Sequence, residues 1–211
     1  MPGLLNSPSV NILYVFSNKR LQQQRETQQF IKSLGARIVF ILDGEAVDLN
    51  NGGACPNGEF DYVVYVAYAT TDTDYEHAVK FMWERGEPFI IVEQDIVPTV
   101  EIINEMWRCG NTFCAAKYKI FPVSTSLPDA VYAHRQVVLE KPGAILRTAW
   151  IKKDDNVCDL YGFGCTKITP SGAYPLEIAS WRDIDSRMSA FTHARGIICH
   201  LHSEVKHNHA L

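Results

Sequence analysis

The chain has 211 residues, 46% of them hydrophobic and 21% charged, with a formal net charge of -4 and a pI near 6.0. This balance is too apolar for a disordered chain and fits one globular domain with a sizeable core, while the acidic pI gives no global footprint for a nucleic-acid backbone. No run approaches the ~20 apolar residues of a membrane span, and the start lacks a basic segment followed by an apolar one, so a soluble, cytoplasmic protein is expected.

Residues 10 to 16, Val-Asn-Ile-Leu-Tyr-Val-Phe, form a first β-rich run. It gives way at Ser17 to polar residues and a glutamine-rich helical stretch that Gly35 ends. A second run, Ala36 to Leu42, stops at Asp43-Gly44, and a strand, helix, strand unit of this kind forces parallel pairing. Residues 45 to 60 read as an exposed loop, because Asn50-Asn51-Gly52-Gly53 and Pro56-Asn57-Gly58 are dense turn signals. A third strand follows at Tyr62 to Tyr68. Thr70 to Asp74 then supply capping residues for a helix carrying Ala78, Phe81 and Met82, which Gly86 stops.

The run from Phe89 to Pro98 is uninterrupted and apolar except where it ends in Glu93 and Asp95. It reads as a strand buried on both faces, and in open α/β sheets ligands sit just beyond the carboxyl ends of such strands. Side chains two apart on an extended chain point the same way, so both carboxylates can face a hydrated divalent cation or the phosphates it carries. The same pair can equally begin a polar loop before the helix that Pro98 helps to start. That helix carries Val100, Ile103 and Met106-Trp107 and ends at Cys109-Gly110. The expected architecture is α/β with a mainly parallel sheet, free of repeats, low-complexity segments and interdomain linkers.

Beyond residue 110 the chain is less regular, punctuated by Pro122, Pro128, Pro142 and Gly143. Tyr161-Gly162-Phe163-Gly164-Cys165 suggests a loop whose backbone comes close to something as it enters a strand. Trp181-Arg182-Asp183-Ile184-Asp185 opens a helix with carboxylates, where the dipole favours negative charge; one can cap, leaving the other for general-base work. Four of the seven histidines, His200, His202, His207 and His209, crowd into the last residues, and alternation would pair His200 with His202 and His207 with His209. Metal ligation by at least one of them is expected. The six cysteines are spread through a chain too large to need staples, so reduced thiols are the default, and only Cys109 and Cys114 are close enough to suggest a cystine or a metal.

In this order the pieces resemble GT-A glycosyltransferases, and most closely a compact, family 2-like member of bacteriophage or bacterial type. The resemblance implies a single Rossmann-like domain over 1–211, with a nucleotide-binding half (1–97) and an acceptor and metal-binding half (98–211). It puts Glu93 and Asp95 at the family's D-x-D motif, which holds a divalent ion, usually manganese with magnesium as substitute, against the diphosphate of a UDP- or GDP-sugar. His207 corresponds to a late histidine ligand, so Asp95 and His207 would hold the metal. Asp185, or Asp183 as second choice, corresponds to the catalytic base. Asp43 corresponds to the nucleoside-contacting acid, Ser17 to a residue meeting the nucleotide, and Gly164 to the wall near donor sugar and acceptor. The motif departs from the family in reading E-Q-D, and Arg182 stands where an acidic residue would precede Asp183. The acceptor hydroxyl is not specified; a modified DNA base is one such acceptor.

Two further readings share parts of the chain. Residues 61 to 64, Glu76 and Gly86 to Ile91 resemble nucleoside deoxyribosyltransferases, in which a glutamate near this place is the nucleophile and no metal is needed. A non-catalytic nucleotide-binding module, or a zinc-stabilised domain built on the histidines, belongs to another class.

Overall fold

The computed structural model describes residues 9–17, 21–42, 44–48, 62–120, 131–138, 147–159, 161–177 and 183–208. The first half contains β1 (Val10–Phe16), α1 (Leu21–Ser33), β2 (Arg37–Leu42), β3 (Glu45–Asp48), β4 (Tyr62–Tyr68), α2 (Asp72–Glu84), β5 (Phe89–Glu93), β6 (Ile96–Val97) and α3 (Val100–Arg108). The second contains β7 (Phe113–Lys117), β8 (Lys119–Ile120), β9 (Val131–Tyr132), β10 (Arg135–Val138), β11 (Arg147–Trp150), β12 (Val157–Cys158), β13 (Cys165–Ile168), α4 (Ile184–Ala194), β14 (Cys199–Glu204) and β15 (Lys206–His207).

The protein is α/β, built on a nine-stranded sheet in the order β12-β14-β7-β13-β5-β1-β4-β2-β3. The sheet is mixed, which corrects the expectation of a mainly parallel one. Pairing is parallel from β2 through β4 and β1 to β5 and again between β7 and β14, but β13 runs antiparallel to both β5 and β7, and the edge strands β3 and β12 are antiparallel to their neighbours. The physical reason lies in connection length. Strand-helix-strand units enforce parallel pairing, whereas the described residues leading to β13 form the short ladders β8–β9 and β10–β11 and no crossover helix.

Alternation along the buried strands makes two cores. Leu13, Val15, Tyr65 and Ile91 face one way and pack with Val79 and Met82 of α2 and Met188 of α4. Ile12, Tyr14, Val64 and Ile90 face the other way and pack with Ile31 of α1 and with Ile103 and Met106 of α3. Because both faces are covered, the central strands read as continuous apolar runs.

Local signals explain most boundaries. Thr71 caps α2 in a reciprocal capping box with Asp74, and Gly86 at φ +73 ends the segment that follows. Thr99 caps α3 by accepting from the Ile102 N–H. The reading of residues 45 to 60 as loop is corrected at its start. Gly44, at φ +80, turns β2 back into β3, and an Asp-Gly pair at such a position is a hairpin signal. Among the described residues no helix is long and apolar enough to cross a membrane.

Candidate metal and nucleotide site

The connection after β1 leads to β2 on one side of the sheet, and the one after β5 leads to β7 on the other. Adjacent parallel strands whose connections leave in opposite directions open a crevice at their carboxyl ends. A cavity of about 210 Å³ lies there, lined among others by Ser17, Thr71, Asp72, Tyr75, Glu93 and Asp95. That is room for a hydrated cation with a phosphate group rather than for a whole nucleotide. A larger cavity of about 620 Å³ sits at the opposite, amino ends of these strands, lined by Asn11, Arg37, Val63 and Pro88, away from every expected site residue.

The apolar run does not continue as one strand past its carboxylates, as expected from sequence. β5 stops at Glu93, and Gln94 and Asp95 turn before β6. The reason is Gln94. Its amide oxygen accepts from the Ser17 N–H at 2.8 Å, the Ser17 hydroxyl at 3.3 Å and the Gln24 amide at 2.7 Å, so it is drawn back onto the ends of β1 and α1. Gln24 also donates to the Ser17 carbonyl. Glu93 thus reaches the cavity from the end of the strand and Asp95 from the turn that follows, not by alternation along one strand.

Asp95 is held from several directions. Its carbonyl accepts from the Asn208 N–H at 2.8 Å, and the next carbonyl, of Ile96, accepts from the Thr27 hydroxyl at 2.8 Å. β15 pairs antiparallel with β6, which sets His207 opposite Ile96. There the His207 Nδ1–H donates to the Lys119 carbonyl at 2.8 Å, and Nε2 lies 3.4 Å from Asp95 Oδ2. Tying one ring nitrogen to a carbonyl fixes the tautomer and turns the other toward the carboxylate, the arrangement common to metal-ligating histidines. Burial works to lower the His207 pKa, but its hydrogen bonds to Asp95 and Lys119 and the charges of Asp95 and Glu93 outweigh it and raise it.

Glu93 accepts from the Tyr75 hydroxyl at 2.8 Å, and its N–H donates to the Gly164 carbonyl at 2.9 Å. Burial, with Asp95 and Asp185 adding negative charge, pushes its carboxyl up to about 7 against the pull of the Tyr75 hydroxyl. Burial also pushes Asp185 up to about 6, opposed by the Ser186 N–H and reinforced by Asp183. Asp183 itself is exposed and caps α4 without a side-chain hydrogen bond. Of the two candidate bases, Asp185 therefore lies inward and Asp183 at the surface.

The close approach expected of the G-x-G loop is real, but its partner is a side chain of the protein. A Cβ on Gly162 would fall 2.1 Å from the Tyr118 hydroxyl and 3.7 Å from Asp185 Oδ2, and one on Gly164 would fall 2.8 Å from the Tyr118 ring. The buried Tyr118 ring packs edge-on against His207 at 5.3 Å, linking the glycine loop to the histidine. Burial and the Glu93 charge raise both Tyr75 and Tyr118 well above the ordinary tyrosine range, so both remain hydroxyl donors. Gly164 thus serves the site through its carbonyl and by making room for Tyr118. Gln94, Tyr75 and Tyr118 were missed from sequence; only the Q of E-Q-D was visible as an oddity.

Asp43, and with it Trp181, Arg182 and His209, lies outside the described residues. Glu76, the nucleophile in the deoxyribosyltransferase reading, is wholly buried, paired with Arg187 and hydrogen-bonded by the Tyr174 hydroxyl at 3.3 Å. It links α2 to α4.

The terminal histidines separate instead of clustering. His207 meets Asp95, whereas His202 joins Cys109 and Cys114, with one ligand atom from each within 4.8 Å of the others, a group that can hold a metal ion. Cys109, Cys114, Cys158, Cys165 and Cys199 are all free thiols. Partial burial works upward on Cys109, but Cys114, Asn111 and His202 together draw it down to about 6.

No protein-family model matches this chain, and no curated protein shows significant similarity to it.

Proposed function

We propose that the protein is a metal-dependent glycosyltransferase of GT-A type, taking a sugar from a UDP- or GDP-sugar to an acceptor hydroxyl. The observation that carries this reading is His207 Nε2 standing 3.4 Å from Asp95 Oδ2, at the carboxyl end of the strand where α/β folds bind nucleotides. Oxygen and imidazole donors suit manganese or magnesium, and Asp95 with His207 are the residues that would hold the ion. The surroundings support the fit. Glu93, Asp95, Asp185 and Asp72 gather negative charge, and no basic residue is among the described residues lining the cavity, so a bare diphosphate would be repelled. The amino end of the α2 dipole lies at the cavity wall at Asp72 and favours phosphate oxygens there, while the Thr71 N–H is held by the Asp74 carboxylate.

A cation held by Asp95 and His207 would supply charge neutralisation for the leaving nucleoside diphosphate. Asp185 takes the proton of the acceptor hydroxyl while that oxygen bonds to the anomeric carbon, and the bond from this carbon to the diphosphate oxygen breaks with its electron pair. A carboxyl with a pKa near 6 is ionised at neutral pH yet basic enough for this work. Tyr75 holds Glu93 in place, and Tyr118 packs behind the site and keeps His207 oriented.

Thermal-shift measurements with UDP, GDP and their sugars test the proposal, each with manganese and with chelator. Stabilisation that needs nucleotide and cation together is expected. Nucleotide binding indifferent to the cation would sink it. Asp185→Asn should lower transfer by about 10²-fold or more while Asp183→Asn leaves it near wild type.

A further inference from the structure

We infer that Cys109, Cys114 and His202 form a second metal centre, a zinc site separate in place and chemistry from the Asp95 and His207 pair. The three ligands come from three elements on one face of the sheet. Cys109 is the residue that ends α3, Cys114 lies in β7, and His202 lies in β14. The parallel register of β7 and β14 sets Cys114 beside His200 and Ala116 beside His202, and the turn after α3 returns Cys109 over them.

Four observations select a metal over ordinary thiols. The candidate ligand atoms already lie within 4.8 Å of one another, so only small side-chain movements separate them from tetrahedral coordination, with its Zn–S of about 2.3 Å and Zn–N of about 2.0–2.1 Å. His202 Nδ1 donates to Glu105 Oε1 at 2.8 Å, the carboxylate–histidine pairing that orients a metal-binding imidazole. Its other nitrogen, Nε2, is buried and has no hydrogen-bond partner among the described residues, which is costly for a polar atom unless something binds there. The buried Lys167 ammonium donates to the Cys109 carbonyl and to the Trp107 carbonyl at 3.4 Å, fixing the end of α3 on which Cys109 sits.

Two thiolates and an imidazole are a soft donor set, suited to zinc and unsuited to manganese or magnesium. Two thiolates also neutralise the charge of one divalent zinc ion, so the loaded site carries no net charge into a partly buried position. Cys109 and His202 border a surface cavity of about 510 Å³ with Glu101, Asn104, Glu105 and Arg108, where water can complete the fourth position. The site thereby clips the end of α3 to the β7–β14 pair.

The test uses the full chain, purified without chelator and then reconstituted with zinc or cobalt(II). About one equivalent of zinc is expected in wild type and in Asp95→Ala, together with thiolate-to-cobalt charge-transfer bands and the intense visible bands of a tetrahedral cobalt site. Cys114→Ser and His202→Gln should lose both, and Glu105→Gln, which leaves every ligand in place, should weaken zinc binding about 10–100-fold. Chelation should lower the melting temperature of wild type and leave the ligand variants unmoved. Absence of thiolate–cobalt bands in folded wild-type protein would overturn the inference, as would a Cys109–Cys114 disulfide in mass spectra of the native chain. Zinc lost on Asp95→Ala but kept on His202→Gln would likewise assign the metal to the other site.

Discussion

The two places where this chain gathers ligand-forming groups differ in almost every physical respect. At the carboxyl ends of β1 and β5, hard oxygen donors line a small cavity with one imidazole set against Asp95, and burial, reinforced by neighbouring carboxylates, pushes Glu93 and Asp185 up to about 7 and 6. Beyond α3, two thiols and one imidazole meet where charge would balance on a single divalent ion. One stretch, β14 to β15, supplies the histidine to each: His202 inside a long strand, and His207 after the chain has passed Val205 and paired with β6. Proximity in sequence therefore says little about shared coordination. A shift of pairing partner between residues 204 and 206 separates the histidines.

The sharpest way to break the contrast is Asp95→Ala. It should reduce nucleotide-sugar turnover by on the order of a hundredfold or more and abolish cation-dependent nucleotide binding, while the thiol site keeps its metal. Turnover that survives this change would leave the acidic cavity without a catalytic role.

The next effect bears on the scaffold. Arg187→Met removes the ion-pair partner of the fully buried Glu76 carboxylate and should cost about 3–5 kcal/mol in denaturant unfolding. A loss under ~1 kcal/mol would mean that the pair does not hold α2 to α4.

A third test uses His134, which is fully buried, with both ring nitrogens lacking partners among the described residues and its ring edge-on to Tyr118. Burial, with Lys117 adding repulsion, pushes its imidazole down to about 3. Between the ordinary value of 6.5 and 3 the unfolded chain binds a proton that the folded one refuses. Stability should therefore decline as pH falls through that window, by about 1.4 kcal/mol per unit where the titration is complete. His134→Leu should flatten the slope, measured by unfolding between those limits.

The smallest effect has the opposite sign and sharpens the electrostatic half of the comparison. Folded Glu93 keeps a proton up to about 7, whereas the unfolded carboxyl loses it near 4.5. Stability contributed by the protonated form is complete below 4.5 and is lost as pH rises through 7. Glu93→Gln keeps an acceptor for Tyr75 and removes the charge, so with chelator present it should stabilise the protein by about 1–3 kcal/mol above pH 7 and change little at pH 4.

Much of the fold was legible from local pattern. The apolar runs at 10–16, 36–42 and 62–68 hold strands, the run from 89 to 98 does so as far as Glu93, and Thr71 and Gly86 bound α2 as side-chain capping and a positive φ require. The mixed character of the sheet was not legible, because the direction of β13 depends on the ladders β8–β9 and β10–β11, each too short to leave a periodic signal. In the site, Glu93, Asp95 and His207 were visible as residue types, but Tyr118 was hidden. Nothing around it hints that the space two glycines leave open is filled by a ring from beyond β7.

The sequence by itself determined which segments are buried strands, where α2 and α3 begin, and that carboxylates stand at the end of β5. These depend on side-chain period and on backbone groups satisfied within a few residues. Only the tertiary structure decided that His207 faces Asp95, that His202 faces two thiols, and that Gln94 draws Asp95 into a turn. Each of those contacts joins segments far apart in the chain, and strand order and register, which no local pattern encodes, bring them within reach.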